Sequence, residues 1–304
     1  MPNVLRAYAV AGVLLGALWL PGSAAAQPGA SAGPARVEIW GGLAIAAPAS
    51  GGTLDMAYAP PMRLGGTPLE SRASQTLAVD TGTALGLDAG INVFFSRVFG
   101  VQAAVFATSA DLSGVNGDFH GFLRYIAMQP PDYQPREYTY ERSSPWDDTA
   151  GTLRRRSVSF GGVVRWGVGR SVGGTVAGGV DIACLTGEIE SAGYQQFVLG
   201  GHSTLFPVMH RVRVRPAERE RLYSPYVGAD AHVALSRWVA LSGGIRVTLR
   251  SGHSAPIEVV DLVDPSEDTW TPELTDVASA LDGQMLHVAG TPWHAYAGLK
   301  FFLF

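Results

Sequence analysis

Hydrophobic and polar residues alternate with a period of two in several segments of the chain. In residues 85–93 the odd positions are Leu, Leu, Ala, Ile and Val, whereas the even positions are Gly, Asp, Gly and Asn. The same sorting recurs in residues 158–168, 175–182, 227–235 and 241–249, where the charged residues fall on the face with the smaller side chains. Because successive side chains of a strand point to opposite sides of a sheet, this pattern predicts β-strands with one apolar and one polar face.

Short polar turns join these strands in pairs. Ser96-Arg97, Arg170-Ser171 and Ser236-Arg237 each lie between two β-prone runs, and the turns recur about every 70 residues. This arrangement predicts a repeat of hairpins. The predicted strands are residues 35–47, 79–96, 98–108, 157–169, 171–184, 222–236, 238–250 and 286–304.

Long polar, proline-containing stretches separate the hairpins, at residues 48–78, 109–156, 185–221 and 251–285. The alternation of short and long connections places all the short ones at one end of the strands and all the long ones at the other. This asymmetry is typical of outer-membrane barrels. The sequence therefore predicts an all-β fold: an antiparallel up-and-down transmembrane β-barrel of eight strands, with long extracellular loops and short periplasmic turns.

The last seven residues, GLKFFLF at 298–304, end the chain on an aromatic side chain. This ending resembles the C-terminal signature by which outer-membrane barrels are recognised for insertion, so we expect Phe302 and Phe304 to form an assembly signal read by the barrel-assembly machinery. Alternation alone fits a soluble, lipocalin-like barrel equally well, with the apolar face inside. The aromatic end and the unequal connections favour the membrane barrel, whose charged face looks into the lumen because a charge that faces lipid is costly.

The beginning of the chain has the pattern of a cleaved secretory signal. An apolar run follows Arg6 and ends before a small-residue cleavage site at Ala24–Ala26, as such signals require. The run is shorter than the roughly 20 residues of a membrane-spanning helix, which argues against an N-terminal anchor. We expect a signal peptide at residues 1–26, a flexible leader at 27–34 and an outer-membrane β-barrel domain at 35–304.

Composition narrows the class of protein. The chain has 38 Gly, 16% charged residues and a formal net charge of -4. With no further apolar run of spanning length, these values suit neither a helical membrane protein nor a disordered chain. The near-neutral charge argues against nucleic-acid binding, which needs a basic surface. Cys184 is the single cysteine, so we expect no internal disulfide, and we expect neither a cofactor nor a metal.

The signal peptide, the repeated short-turn hairpins and the aromatic end make residues 35–304 similar to the small eight-stranded outer-membrane barrels of the OmpA/OmpX-like family. The resemblance implies a location in the cell outer membrane, contact with outer-membrane lipid and lipopolysaccharide, and a monomer. Its features are specific for an architecture and do not specify an activity.

Seven charged residues share the predicted inward face. They are Glu38, Asp88, Arg165, Asp181, Asp230, Arg246 and Lys300. Measured from the short turns, Asp88, Asp181 and Arg246 lie at a similar height and the other four lie nearer the periplasm, so two layers of ion pairs are predicted. An eight-stranded barrel is just wide enough to be filled by side chains, and we interpret this network as a neutralised plug. A narrow or gated ion path lined by the same residues is the alternative.

Two basic clusters lie in the predicted extracellular loops. The first is Arg154, Arg155 and Arg156, and the second is Arg211, Arg213 and Arg215. Because Arg forks match phosphate geometry, both clusters are candidates for contact with lipopolysaccharide; an ordinary solvated surface is the alternative. Residues 251–286 are acidic, lack Lys and Arg and match no calcium-binding loop, so we expect a solvated loop or one paired with its basic neighbour.

Aromatic residues near the predicted strand ends are interpreted as interface girdles, because amphipathic rings favour the headgroup level. They are Trp40, Phe94, Phe95, Phe99, Trp166, Trp238, Trp293, Tyr296 and Phe302. Ligand stacking is the weaker alternative.

The sequence shows no catalytic constellation, and GxSxG, HExxH and CxxC spacings are absent. His202, His210, His253 and His287 fall in or beside the outer loops, where a His–Ser dyad for lipid hydrolysis is conceivable. We expect a protein that is not an enzyme and has a structural or adhesive role, acting through its outer loops on lipopolysaccharide or a surface ligand. A small-solute or ion channel is the alternative, and a lipid-modifying enzyme is the third hypothesis.

Overall fold

The computed structural model describes fourteen stretches of the chain. They are residues 36–47, 52–60, 63–64, 67–68, 70–114, 116–129, 133–144, 148–168, 171–199, 205–217, 221–249, 252–263, 273–288 and 293–303. The predicted signal peptide, the predicted leader and Phe304 lie outside these stretches.

Antiparallel strands make up nearly all of the described chain, which confirms the all-β prediction. The 17 strands are β1 (Val37–Ala46), β2 (Gly52–Tyr58), β3 (Arg63–Leu64), β4 (Thr67–Pro68), β5 (Glu70–Thr81), β6 (Ala84–Phe94), β7 (Phe99–Gly114), β8 (Asn116–Gln129), β9 (Gln134–Ser144), β10 (Thr149–Val168), β11 (Val172–Leu199), β12 (Leu205–Pro216), β13 (Arg221–Ala234), β14 (Val239–Thr248), β15 (His253–Val263), β16 (Met285–Val288) and β17 (Trp293–Leu303). One helix, α1 (Leu274–Leu281), lies between β15 and β16. No helix in the described part of the chain has the length and apolarity that crossing a membrane requires.

Eight of the strands close into a ring, which we call the base ring. Its order is β1, β6, β7, β10, β11, β13, β14 and β17, and the pairing of β17 with β1 completes it. The three short turns connect β6 to β7, β10 to β11 and β13 to β14 at one end of this ring. Each of the eight segments predicted from the sequence overlaps one base-ring strand, and β7, β10 and β11 extend well beyond the predicted bounds.

The predicted long loops form further strands. Beyond the base ring, β1 is followed by β2, β5 leads into β6, β12 into β13, β14 into β15, and β16 into β17, while β7, β10 and β11 run on without a break. These continuations pair in the order β11, β12, β15, β16, β2, β5, β7 and β10. They form a second ring, the outer ring, and the β8–β9 hairpin pairs with β5 beside it.

The prediction of eight strands for the whole chain is therefore corrected, because the described residues form 17 strands. The reason is visible in β5. Its inward positions include Ser71 and Gln75 beside Ala73, Leu77 and Val79, so its hydrophobic alternation is weak. The cross-strand pairing of these segments, which no local pattern reports, makes them strands.

The two rings have opposite polarity. In the outer ring the apolar side chains point inward and form the main core. Its fully buried members include Leu54, Leu77, Phe119, Ile189, Val212, Val214 and Leu286, and Val277 and Leu281 of α1 pack against them. In the base ring the buried side chains are largely polar or charged, and large apolar side chains are exposed on the outside.

The polarity changes at one height of the barrel wall. On β10 the outward residues Val158, Phe160 and Val164 are exposed and apolar, whereas Arg156 and Arg154, farther from the short turns, are exposed and charged. The wall therefore has an apolar belt around the base ring and a polar surface around the outer ring.

Candidate functional site

The charged interior of the base ring is the first candidate site, and its lower part contains four of the predicted residues. Arg165 Nη2 lies 2.9 Å from Glu38 Oε1. Lys300 Nζ lies between two carboxylates, 3.5 Å from Glu38 Oε2 and 2.5 Å from Asp230 Oδ1. The Thr175 hydroxyl also donates a hydrogen bond to Asp230. We call Glu38, Arg165, Asp230 and Lys300 the lower cluster.

Polar and aromatic neighbours hold the lower cluster in place. The Asn92 amide donates to Glu38 Oε2 at 3.1 Å, and the Gln102 amide donates to Asn92 at 3.0 Å. The Phe94 ring lies 3.6 Å from the Arg165 guanidinium carbon, in cation–π geometry. Since Lys300 and Glu38 are almost completely buried, these charges are stable there only because each has partners.

The upper part of the interior contains one ion pair and one histidine–carboxylate contact. Arg155 Nη2 lies 2.7 Å from Asp181 Oδ2. His294 Nε2 lies 3.1 Å from Asp88 Oδ2, and its ring stacks on Phe106. Both carboxylates therefore have a basic neighbour.

Arg246 occupies the space between these pairs. It donates a hydrogen bond of 2.7 Å to the Ser159 hydroxyl, and its guanidinium lies over the Tyr226 ring. The Tyr226 hydroxyl in turn donates to Gln102 at 3.0 Å. A continuous polar network therefore connects the upper and lower parts.

All seven residues predicted for the interior lie inside the base ring, at the two heights expected. The partners in the upper layer differ from the prediction. Asp181 pairs with Arg155 and Asp88 with His294, and neither basic residue was among the seven predicted for the interior. The period-two pattern indicates both residues. Arg155 is an odd-numbered residue of β10, as is the inward Arg165, and His294 is an even-numbered residue of β17, as is the inward Lys300. The described interior then holds four carboxylates and four Lys or Arg side chains, so its formal charge is zero when His294 and His232 are neutral.

Little open space remains in this interior. The described cavity between the two layers has a volume of about 20 Å³ and is lined by Trp40, Gln102, Asp230, Arg246 and Tyr296, among others. That is about the space of one water molecule. Farther out, the apolar core of the outer ring occupies the barrel axis. The described residues therefore leave little open space between the two charged layers.

The residues predicted to form an aromatic girdle are divided between the two sides of the wall, and the inward ones do not fit that prediction. Phe95, Phe99, Trp238 and Trp293 are exposed on the outside of the wall. Trp40 and Phe94 are buried in the interior, because their even numbers on β1 and β6 place them on the inward face. Tyr296 packs against buried alanines of the interior, and Phe302 packs against His232. Phe302 therefore faces inward, whereas its role as an assembly signal remains a prediction.

The basic clusters are divided between the two sides of the wall. Arg154, Arg156 and Arg211 are exposed, as contact with phosphate requires. Arg155 does not fit that expectation, because alternation along β10 turns it into the interior, where it is 8% exposed. Among the others, Arg213 pairs with Glu190 at 2.9 Å and Arg215 with Glu258 at 3.1 Å, so the acidic segment does neutralise part of the basic one.

A buried aromatic network closes the outer ring at its far end. The rings of Tyr58 and Tyr194 stack at 5.2 Å, and the Tyr58 hydroxyl accepts a hydrogen bond from the Gln195 backbone N–H. Burial raises the pKa of Tyr58, and burial together with nearby Asp276 raises the pKa of Tyr194 to about 12. Opposite Tyr194 lies His210, whose pKa is lowered by burial. All three side chains are therefore uncharged at neutral pH.

No protein-family model matches the chain, and no curated protein matches it. Among solved structures, it is similar to the outer membrane protein OprG from Pseudomonas aeruginosa, with a TM-score of 0.41 and 10% identity over 88% of this chain and 97% of that chain. It is also similar to the outer membrane protease OmpT from Escherichia coli, with a TM-score of 0.32 and 11% identity over 88% of this chain and 97% of that chain. These likenesses are too low to transfer a residue role or an activity.

Proposed function

We propose that this chain is an integral outer-membrane protein whose base ring spans the bilayer as a closed anchor and whose outer ring presents a folded surface outside the cell. The observation that supports this most strongly is the inverted polarity of the two rings. A soluble barrel buries its apolar face, and the outer ring does so. The base ring instead exposes Leu43, Leu87 and Leu241 while it buries Glu38 and Lys300.

The dimensions of the exposed apolar belt fit a bilayer. On β7 the outward positions are apolar from Phe99 to Ala107 and polar from Ser109 onward. Nine residues of a strand tilted as in membrane barrels rise roughly 20–24 Å, which is close to the roughly 25 Å height of the lipid-facing band of such barrels. Charge in the middle of that band costs about 2–4 kcal/mol for each Lys or Arg, and the described charges at the height of that band point into the interior.

The outer edge of the belt has exposed arginines. Arg156 lies opposite Cys184, which in turn lies opposite Arg221, so the two exposed arginines lie on one row of paired residues, just beyond the apolar residues of β10 and β13. Arg154 lies two residues farther out on β10. Phosphates of lipopolysaccharide would lie at this height, and planar guanidinium groups bind phosphate oxygens in pairs. This supports binding of outer-leaflet phosphates by Arg154, Arg156 and Arg221.

The outer ring is suited to a structural or adhesive role. It is a folded unit with its own apolar core, unlike mobile loops. The β8–β9 hairpin beside it exposes Ile126, Met128 and Tyr133. Large apolar side chains exposed together on a projecting hairpin favour contact with a surface partner.

A test of this arrangement is depth-dependent quenching. In a Cys184→Ser background, a fluorophore is attached through Leu87→Cys, which lies in the belt, or through Ser113→Cys, an exposed position on the outer part of the same hairpin. After refolding into vesicles, brominated lipid should quench the first probe and iodide the second. Equal quenching of both probes by iodide would contradict a membrane-embedded base ring.

The channel alternative is disfavoured by the filled interior. Since the described cavity accommodates about one water molecule, the refolded protein should show no steady conductance in a planar bilayer. Ion-selective openings that change in Asp88→Ala would favour the channel instead.

A further inference from the structure

Ser254, His287 and Asp55 lie next to one another on the outward face of the outer ring. Ser254 of β15 is directly opposite His287 of β16, and His287 is opposite Thr53 of β2. Asp55 follows on the same face of β2, because it is two residues beyond Thr53. The three side chains therefore belong to three neighbouring strands.

Each nitrogen of the His287 ring faces a different partner. Nδ1 lies 2.6 Å from the Ser254 hydroxyl oxygen, and Nε2 lies 3.7 Å from Asp55 Oδ2. The Thr53 hydroxyl donates to the same Asp55 oxygen at 3.3 Å. With a proton on Nε2 directed to Asp55, Nδ1 has a free lone pair for the hydroxyl proton of Ser254.

This is the arrangement that activates a serine. A serine hydroxyl is a weak nucleophile until an adjacent base accepts its proton, and the base works best when a third group orients it. Triads of this kind recur on unrelated folds and are recognised by geometry rather than by position in the sequence. Here the ring is turned so that Nδ1 rather than Nε2 faces the nucleophile, but either nitrogen can accept the proton.

Polar side chains are common on the solvated face of a sheet, so the presence of Ser, His and Asp there does not by itself indicate a catalytic site. The second observation is where the three residues lie. β15 begins four residues after Leu249, which is 61% exposed beyond the end of β14, and β16 ends five residues before Trp293, which is exposed at the start of β17. The serine therefore lies at the end of β15 that is nearer the apolar belt, on the second rung of its ladder with β16 and five residues beyond Leu249.

The ester bonds of membrane lipids lie between the hydrocarbon and the headgroups, so a lipid must move partly out of the leaflet for its ester to come level with Ser254. An acyl chain could lie along the belt beside Leu249 and Trp293 while its ester carbonyl reaches the Ser254 hydroxyl. All three polar side chains are accessible from outside, since the side chains of His287 and Asp55 are 45% and 51% exposed.

We propose that Ser254 and His287 are catalytic residues, and Asp55 a positioning residue, of a site that hydrolyses acyl esters of outer-leaflet lipids. The proposal goes beyond the anchoring and surface role, and it replaces the expectation that the protein is not an enzyme.

The reaction proceeds in two balanced steps. The Ser254 oxygen attacks the ester carbonyl carbon while its proton passes to His287 Nδ1. The bond to the lipid alcohol then breaks, and His287 returns the proton to the departing alkoxide. Water attacks the acyl-serine, His287 takes a proton from it and gives that proton to the serine oxygen, and a free fatty acid leaves. Water is the only co-reactant, and no oxidant or reductant is needed.

The first experiment uses the refolded full chain and a fluorophosphonate probe, which reacts with activated serines. We expect one covalent adduct, located at Ser254 by peptide mass spectrometry. Labelling should vanish in Ser254→Ala and fall by about 1,000-fold in His287→Gln, as expected when a positioned general base is removed. Ser74→Ala, which changes an exposed serine of β5 on the same outward side, is the matched control and should label as the wild type does. An adduct at another serine, or unchanged labelling in His287→Gln, would overturn the proposal.

The second experiment identifies the substrate class. Fatty-acid release is measured from lipopolysaccharide, from a diacyl phospholipid in mixed micelles, and from a soluble short-chain nitrophenyl ester. We expect release from at least one lipid and loss of that release in Ser254→Ala. Hydrolysis of the soluble ester alone would contradict a lipid substrate, and no hydrolysis of any ester would contradict the catalytic assignment.

Asp55→Asn distinguishes a positioning role from a merely structural one. If Asp55 orients the imidazole, kcat should fall by about 10-fold or more with little change in KM, because substrate does not contact the carboxylate. The heat-modifiable mobility of each variant on a detergent gel is recorded alongside. A variant that retains the closed-barrel mobility and full kcat would exclude the role assigned to Asp55.

Discussion

Arg155 and Asp181 form an ion pair of 2.7 Å inside the barrel, at the height where the wall changes from apolar to polar. They are not directly opposite each other, since Arg155 pairs in register with Leu185, and Asp181 with Ser159. The arginine side chain therefore extends along the barrel axis toward the short turns to reach the carboxylate. Both side chains are less than a tenth exposed, so each charge depends on the other.

Removal of both members of this pair should cost less stability than the two single removals added together. Arg155→Ala leaves the Asp181 carboxylate buried without its partner, and we expect the free energy of unfolding to fall by about 3–5 kcal/mol. The double variant Arg155→Ala/Asp181→Ala should lose less than the sum of the two single variants. Urea unfolding in lipid vesicles measures all three. Arg156→Ala, one residue away but exposed, is the control and should change stability by less than about 0.5 kcal/mol.

Gly90 should tolerate no side chain. A Cβ atom there would overlap the Trp40 ring, which is buried beneath it in the interior. Gly90→Ala should therefore destabilise the base ring by about 1–3 kcal/mol, as overpacking does. Gly178→Ala is the matched change, because its Cβ would meet its neighbours at ordinary contact distances, with the nearest atom at 3.6 Å. The temperature at which each variant loses its heat-modifiable mobility compares them, and equal temperatures for both would contradict the packing described for Trp40.

Acid should weaken the outer ring through His210. Burial lowers the pKa of this side chain in the folded protein, so below the ordinary value of about 6.5 the unfolded chain binds a proton that the folded chain does not. Stability should therefore be unaffected well above pH 6.5 and should fall as the pH drops through that value. The quantity to measure is the change in unfolding free energy between pH 7.5 and pH 5.

His210→Gln should make that change smaller than in the wild type, whereas His120→Gln, which alters an exposed histidine of β8, should leave it unaltered. If the pH dependence were the same in His210→Gln and the wild type, the assigned burial effect would be incorrect.

The exposed arginines above the belt should retain lipopolysaccharide. Replacement of both Arg154 and Arg156 by Ala removes two guanidinium groups, each of which contributes about 1 kcal/mol or somewhat more when it binds a charged acceptor. We expect about a 10-fold or greater loss of affinity for lipopolysaccharide, and the loss should shrink as salt is added. Affinity can be measured by displacement of a fluorescent lipopolysaccharide. Arg142→Ala, which removes an exposed arginine of the β8–β9 hairpin, is the control, and an equal loss there would indicate nonspecific charge attraction.

The interior of the base ring was predictable from the sequence because a strand sorts its side chains by parity. Glu38, Asp88 and Lys300 follow that rule and lie inside. The error over Arg155 came from treating three consecutive arginines as one cluster, although consecutive residues of a strand point to opposite faces. The prediction that Trp40 and Phe94 face the membrane interface has the same fault. It rests on their nearness to strand ends, whereas their even positions on β1 and β6 direct both side chains inward.

The outer ring could not be predicted in the same way. Its inward positions include small and polar residues such as Ser71 and Gln75, and its strands are defined by partners far away in the sequence. Ser254 and His287 are separated by 33 residues, and Asp55 lies on a strand from the other end of the chain. Their proximity follows from strand register alone, and no spacing motif encodes it.

β11 is the one strand of the barrel wall that runs without interruption for 28 residues, from the short-turn end of the base ring into the outer ring. Over its length it pairs with β10, β13 and β12, so one ladder of hydrogen bonds ties the two rings together. A swivel of the outer ring about the membrane normal would have to shear that ladder. The orientation of the exposed surface relative to the bilayer is therefore set by strand pairing and does not depend on a hinge.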